Sequence, residues 1–286
     1  MPIVCLLFAL LLLPAAHAET VVRFPVRAAD GIAAWNTKVA YGIRLREAAY
    51  PSTGYRECAE VAELNGAYLC ANRNRLEMAA GLARASAYIE GIGKELSGGL
   101  PVAKGQILSL DSPEIAAYSA GVLGYDLKGP DLVAFYGALN RACTDSGAAP
   151  NVCPSAAEKE IFDKLILPRA SKGQGFVVIT YTLDHDSYQQ VVSHEILHAQ
   201  YFLRPAYAAA VDKFWAALPE EEREAIRYGL EDYYDRTDEF LMKNEFQAHV
   251  LMYRAEESLL AMYLPSYREK LFGRLAQVRE TPLQVK

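Results

Sequence analysis

Residues 188–202 read YQQVVSHEILHAQYF, and this stretch decides the fold that we predict. Ser187 and Gln190 fit a helix-capping box, and the chain reaches Pro205 soon afterwards, so the pattern predicts one helix over residues 188–202. Apolar side chains lie nearly all round this helix, which is typical of a helix buried on every side. These apolar residues are Val191, Val192, Ile196, Leu197 and Ala199.

The same helix carries two histidines four residues apart, His194 and His198, with Glu195 between them. Side chains at this spacing leave one face of a helix, so both imidazoles can reach one tetrahedral metal at about 2.0–2.1 Å. Glu195 is rotated by about a third of a turn and can reach a water at the metal without binding the metal itself. The alternative, two histidines on a solvent-exposed helix, leaves the apolar surroundings unexplained. We therefore predict a Zn²⁺ cofactor bound by His194 and His198, with Glu195 as general base.

A third ligand is predicted on a later helix, residues 237–260, which contains DEFLMKNEFQAHVLMY. Glu245 is a carboxylate within its apolar stretch, and we expect it to bind the metal. The alternative is a salt bridge to Lys243 or Arg254. His249 lies four residues further on the same face. We expect His249 to stabilise an oxyanion or to support the site, and the alternative is a fourth metal ligand.

Here the chain resembles the gluzincins, metallopeptidases in which HExxH on one helix is joined by a Glu from a later helix. The matching residues are His194, Glu195 and His198, then Asn244, Glu245 and Ala248. The resemblance covers roughly residues 176–260. It implies an α+β, mainly helical, zincin-like fold in which a small sheet edges the active-site helix, followed by a helical C-terminal part. It also implies that the strand over residues 176–183 lies at the cleft and pairs with an extended peptide or protein substrate.

The chain departs from the gluzincin pattern at His249, where many members have an Asp that orients a zinc-bound histidine. Asp238 or Asp184 is the expected substitute. Three tyrosines compete with His249 for stabilising the oxyanion: Tyr201, Tyr181 and Tyr253.

Hydrolysis of peptide bonds is the leading functional expectation. A closed structural zinc site, with His249 as fourth ligand, and a hydrolase of non-peptide amides are the alternatives. Glu195 favours an enzyme, since a structural site has no use for an acid beside its ligand. The chain has 286 residues, 52% of them hydrophobic, and a net charge of −6 without a Lys/Arg cluster, so nucleic acid is not an expected partner.

The N-terminus predicts export. Residues 4–13 are an apolar run too short to span a bilayer, and Ala16-His17-Ala18 fits a signal-peptidase site. We therefore expect a signal peptide over residues 1–18, a periplasmic or extracellular mature chain and no stable membrane insertion after cleavage. The remainder is divided into an N-terminal part of unknown role, residues 19–170, and a zincin-like catalytic part, residues 171–286.

Four cysteines remain beyond the signal peptide, and an even number in an exported chain predicts two disulfides. Short loops favour Cys58–Cys70 and Cys143–Cys153. The first pairing conflicts with a two-residue hairpin turn at Asn65-Gly66, which would set Cys70 opposite Val61.

Hydrophobic spacing and turn residues predict the other elements. Further helices are predicted over residues 31–47, 75–96, 113–123, 131–142, 155–167, 205–218, 219–230 and 265–278. Strands are predicted over residues 20–27, 106–110 and 176–184.

Overall fold

The computed structural model describes residues 45–50, 56–94, 96–99, 101–145, 149–185, 188–252, 255, 259–260 and 264–283. The predicted signal peptide and the predicted strand over residues 20–27 lie outside these residues, as does most of the predicted helix 31–47. Residues 45–47 of that helix belong to a strand instead. The described chain is α+β and mainly helical, which confirms the predicted class.

One sheet contains the strands of the described chain, in the spatial order β1-β2-β3-β5-β4. The strands are β1 (Leu45–Tyr50), β2 (Arg56–Val61), β3 (Ala67–Asn72), β4 (Gly124–Lys128) and β5 (Val177–Thr182). Strand β5 runs parallel to β3 and antiparallel to β4. All six residues of β5 are buried, as expected of a strand covered on both faces.

The position of β5 corrects the prediction for residues 176–183. That segment is a strand, but it has a partner on each side, so its backbone groups are already paired. The edge of the sheet beyond β5 belongs to β4, which the sequence analysis missed. Strand β4 alternates half-buried and buried residues, the pattern of a strand with one covered face.

The helices of the described residues follow the predicted spacing closely. They are α1 (Arg75–Glu90), α2 (Pro113–Gly121), α3 (Gly129–Asp145), α4 (Ala156–Ile161), α5 (Leu167–Ala170), α6 (Tyr188–Leu203), α7 (Pro205–Ala216), α8 (Glu220–Leu230), α9 (Glu239–Leu251) and α10 (Leu264–Gln277). A π-helical turn, Phe162–Ile166, joins α4 to α5.

Several predicted boundaries are wrong. Helix α1 ends at Glu90 rather than Leu96, because Gly91 has φ +78° and a β-carbon there would lie 2.8 Å from the Val102 carbonyl oxygen. Pro168 does not end its helix, since it occupies the first turn of α5, where no backbone donor is needed. Helix α9 stops at Leu251 rather than near residue 260, and residues 106–110 form no strand.

Helix α6 lies between two apolar layers, which explains why it is apolar all round. Its residues Val192, Ile196 and Ala199 pack on one face of the sheet. On its other side, Leu197 and Tyr201 join a cluster formed with the C-terminal helices. The opposite face of the sheet is covered by a separate cluster that includes residues of α1 and α3.

Both predicted disulfides are present, Cys58–Cys70 and Cys143–Cys153. Cys58 is the direct partner of Cys70 in the β2–β3 register, so the two-residue turn considered from the sequence is wrong. The connection instead runs through residues 62–66, with Leu64 donating a hydrogen bond to the Val61 carbonyl. Among the described helices, none has the length and apolarity needed to cross a bilayer.

Candidate metal centre

Helices α6 and α9 bring the predicted ligands together. The Nε2 atoms of His194 and His198 lie 2.9 Å apart on α6. From α9, one Glu245 carboxylate oxygen lies 3.3 Å from His194 Nε2 and the other lies 3.5 Å from His198 Nε2. Lys243, considered as a salt-bridge partner of Glu245, instead contacts Asp212 at 3.0 Å, and Arg254 lies outside the described residues.

The two contacts of Glu245, at 3.3 and 3.5 Å, fit one metal ion, while the two imidazole nitrogens lie closer together, at 2.9 Å. Tetrahedral bonds of about 2.0–2.1 Å set ligand atoms about 3.3–3.4 Å apart. Glu245 Oε2 is also buried without a hydrogen-bond partner in the described part of the chain, as is His198 Nδ1. Buried carboxylate oxygens are normally paired, so this orphaned atom is consistent with a cation at this point. Two imidazoles and one carboxylate are a donor set that zinc accepts.

His249 lies beside this group, and its ring nitrogen forms a set with ligand atoms of His194 and Glu245 that lie within 4.8 Å of one another. Its Nε2 is 3.8 Å from Glu245 Oε2, and its ring centroid is 4.7 Å from that of His194. The side chain is buried, and neither ring nitrogen has a hydrogen-bond partner within the described residues. Burial, helped by nearby His194, lowers the pKa of His249 to about 3, so the imidazole is neutral at pH 7.

Asp126 on β4 joins the site from the sheet side, and sequence reasoning missed it. Carboxylate oxygens of Asp126 and Glu195 and a ring nitrogen of His198 lie within 4.8 Å of one another. Burial raises the pKa of Glu195 to about 8, while a hydrogen bond with Asp126 acts in the opposite direction. Burial alone would lower the pKa of His198, but the Asp126 and Glu245 carboxylates raise it to about 10.

Strand β4 runs along α6, with every second residue facing the helix. A β-carbon on Gly124 would lie 2.7 Å from Glu195 Oε1. Two residues on, Asp126 neighbours His198. Two residues further, Lys128 Nζ lies 5.3 Å from the ring centroid of Phe202.

The substitutes predicted for the orienting Asp are not at the metal centre. Asp238 caps α9 by accepting the Leu241 amide and also contacts Lys104 Nζ at 2.5 Å. Asp184 is exposed in the turn before α6. Asp126, in a segment with only a faint alternating pattern, is the carboxylate beside His198.

The tyrosines considered from the sequence also lie elsewhere. Tyr201 donates a hydrogen bond to Asp212, Tyr181 is buried among the sheet residues, and Tyr253 lies outside the described chain. Tyr234, in the loop between α8 and α9, lies 6.3 Å from His249 between ring centroids. Burial and the neighbouring Glu245 carboxylate raise the pKa of Tyr234 well above its ordinary value, so it is a protonated donor.

The site opens into a cleft of about 980 Å³. Its walls come from α6 and α9, from β4 and from the segment around the end of α1, so residues on both sides of position 170 form it. Its lining includes His194, Glu195, His198, Glu245, His249 and Tyr234.

Comparison with protein-family models, with curated proteins and with solved structures finds no match to this chain.

Proposed function

We propose that this chain is a gluzincin-like zinc metallopeptidase in which His194, His198 and Glu245 hold the metal. The observation that carries the proposal is the set of separations between their ligand atoms, 2.9, 3.3 and 3.5 Å. The orphaned Glu245 oxygen is consistent with a metal held by these residues. A structural zinc site would not need Glu195 beside its ligands.

Glu195 is the general base of this proposal. Zinc held by the three ligands would lower the pKa of a water toward about 7 and would polarise the substrate carbonyl. Glu195 accepts the water proton and delivers it to the leaving amine. Its burial in a cleft and its raised pKa are typical of a group that exchanges protons near neutral pH. Asp126 lies beside His198 and shares a hydrogen bond with Glu195.

His249 and Tyr234 stabilise the oxyanion that develops at the carbonyl. A neutral imidazole with unpaired nitrogens and a protonated phenol, both lining the cleft, are suitable donors. The position of His249, 3.8 Å from Glu245 Oε2, also favours a second candidate, the closed structural zinc site. In that case His249 is the fourth ligand and the chain binds zinc without hydrolysing anything.

The substrate is an extended peptide that pairs with the free edge of β4. This strand is the sheet edge next to Glu195, and its backbone groups on that side have no strand partner within the described sheet. An extended peptide adds to such an edge through main-chain hydrogen bonds. A hydrolase of non-peptide amides has no comparable use for the edge.

The proposal is tested on purified mature chain by measuring zinc per chain and digesting a peptide library. The parent and Glu195→Gln each bind one zinc, and the variant cleaves at least about a hundredfold more slowly, because the amide cannot accept the proton. Zinc binding without peptide cleavage by the parent refutes the peptidase. Cleavage of simple acyl amides alone then supports the amidohydrolase, and no cleavage at all supports the closed site.

Export is part of the same proposal. The two disulfides support it. In a Gram-negative host, intact-mass measurement of the periplasmic fraction gives a chain beginning near Glu19 with no alkylatable thiol before reduction. A retained N-terminus, or four alkylatable thiols in the unreduced protein, contradicts export.

A further inference from the structure

A second polar cluster, made of residues other than the proposed metal ligands, lies in the cleft wall. Glu90, the last residue of α1, accepts a hydrogen bond from Ser86 Oγ at 2.8 Å. The Ser86 hydroxyl is also 2.7 Å from the Tyr118 hydroxyl, and the Tyr118 ring lies 6.0 Å from that of Tyr125. Glu90, Tyr118 and Tyr125 all line the cleft. We call Glu90, Ser86, Tyr118 and Tyr125 the Glu90 cluster.

Two features of the Glu90 cluster are unexplained by the catalytic proposal. The Tyr125 side chain is 3% exposed, and its hydroxyl has no hydrogen-bond partner in the described part of the chain. Such an orphaned polar group in a cleft wall indicates a missing ligand atom. Glu90 is a carboxylate at the C-terminal end of a helix, where the helix dipole favours a cation.

The charges of the cleft point to a cationic ligand. Its lysine and arginine side chains, among the described residues, are already neutralised: Lys104 by Asp238, and Arg236 by Glu231, each at 2.5 Å. No described cationic side chain forms an ion pair with Glu90. Glu90 therefore lines the cleft with no Lys or Arg of the described chain paired to it, and its carboxylate attracts a positive group.

The surroundings of Glu90 fit a long side chain with a charged end. Apolar residues line the wall next to it, namely Ile92, Leu96, Val102 and Val122. Lysine and arginine have an aliphatic stem that packs on such a wall and a cationic head that seeks a carboxylate. The two tyrosine rings favour the same head through cation–π contact.

We propose that the Glu90 cluster is a specificity pocket that binds a cationic group of the substrate, the ammonium or guanidinium of a Lys or Arg side chain. The inference rests on the proposed function, because it treats the cleft as a peptide-binding site. Glu90 binds the cation directly, Ser86 and Tyr118 hold its carboxylate in position, and the Tyr125 hydroxyl accepts a hydrogen bond from the bound head group.

The test measures binding rather than turnover, on zinc-loaded Glu195→Gln protein by calorimetry. The probes are N-acetylated, C-amidated Ala/Gly octapeptides with one central Lys, Arg, norleucine or Glu. A fifth probe, the norleucine peptide with a free amino terminus, distinguishes an α-ammonium group from a side chain. The Lys and Arg peptides are expected to bind at least about tenfold more tightly than the acetylated norleucine peptide, as for a partly desolvated ion pair.

Adding Glu90→Gln, which is isosteric and keeps the Ser86 contact, is expected to remove this preference. Asp232→Asn, which neutralises another carboxylate of the same cleft, is the matched control and keeps it. Preference for the free amino terminus alone identifies the α-ammonium as the bound cation. Equal binding of all probes, no binding, or a preference that survives Glu90→Gln overturns the pocket. If the preference for the Lys and Arg peptides is intact but the parent protein cleaves no peptide, only the proposed peptidase activity is refuted.

Discussion

Gly124 and Glu195 are in such close contact that no side chain fits between them. A β-carbon at position 124 would lie 2.7 Å from Glu195 Oε1 and 2.6 Å from Val191 Cγ1. The same β-carbon would lie 3.0 Å from the Thr180 carbonyl oxygen on the neighbouring strand. Glycine at this position therefore brings the edge strand β4 against the proposed general base.

Gly124→Ala is expected to reduce hydrolysis while leaving zinc binding intact. The new methyl group displaces either the Glu195 carboxylate or β4, and a misplacement of about 1 Å costs on the order of a hundredfold in rate. Zinc content and kcat/KM on a cleaved library peptide measure the two effects. Gly137→Ala is the control, because its nearest contact would be Arg141 at an ordinary 3.5 Å. Full activity in Gly124→Ala contradicts the assigned role of the contact.

Glu245 and His249 are expected to differ in their effect on zinc. Glu245→Ala removes a ligand whose two oxygens face both histidines and is expected to lose the metal. His249→Ala is expected to retain one zinc per chain and to lose mainly kcat, by roughly a hundredfold for one oxyanion donor. Metal analysis after dialysis against a weak chelator distinguishes the Glu245→Ala variant from the His249→Ala variant. Loss of zinc from His249→Ala indicates the four-ligand site instead.

The stability of the chain is expected to depend on pH through Glu90. Burial raises the pKa of Glu90 from 4.5 to about 7, the Ser86 hydrogen bond lowers it, and the nearby Glu245 carboxylate raises it further. A carboxyl group with a raised pKa contributes its full stability below about pH 4.5 and loses it as the pH rises through 7.

Glu90→Gln has no carboxyl group to ionise and therefore does not suffer this loss. The stability of the variant relative to the parent is expected to be greater at pH 8 than at pH 5. The expected difference is on the order of 1–3 kcal/mol in the free energy of unfolding. Urea denaturation of chelator-treated protein at both pH values measures it. Glu220→Gln is a control whose effect is expected not to change between pH 5 and pH 8, since hydrogen bonds from Arg223 and Arg227 lower the pKa of Glu220 and leave it ionised at both values. If the difference in the free energy of unfolding between Glu90→Gln and the parent is the same at both pH values, the raised pKa of Glu90 is contradicted.

Arg84 is expected to be essential for the stability of the N-terminal half. Its buried guanidinium donates to both Glu158 oxygens, at 2.9 and 2.6 Å, and to the carbonyls of Leu108, Asn151 and Cys153. Arg84→Met leaves a buried carboxylate unpaired and is expected to cost about 3–5 kcal/mol in urea denaturation.

The double variant Arg84→Met/Glu158→Gln is expected to recover part of this loss, because the unpaired charge is gone and the amide still caps α4. The exposed Arg223–Glu220 pair provides the comparison, and breaking it with Arg223→Met is expected to cost less than about 1 kcal/mol. An equally small effect of Arg84→Met contradicts the role of the buried pair.

The sequence predicted correctly those features that depend on the residues of a single helix or strand. The apolar surface of α6 predicted a helix buried on both sides, and the spacing of its residues predicted the element correctly. The strand over Val177–Thr182 was recognised from its β-branched residues, but its place between β3 and β4 was not. Sheet order depends on contacts between distant segments, which no local pattern records.

Local spacing on one helix was enough to place His194, Glu195 and His198 on a common face, because an α-helix fixes the direction of its side chains over four residues. The short loops between the cysteines likewise predicted the pairs that the structure contains. The tertiary structure alone decided that Asp126, 72 residues earlier in the chain, lies beside His198, and that Glu90 lines the same cleft. Their positions result from the strand order and from how α1, α6 and α9 pack around the cleft, and these depend on the whole core rather than on neighbouring residues.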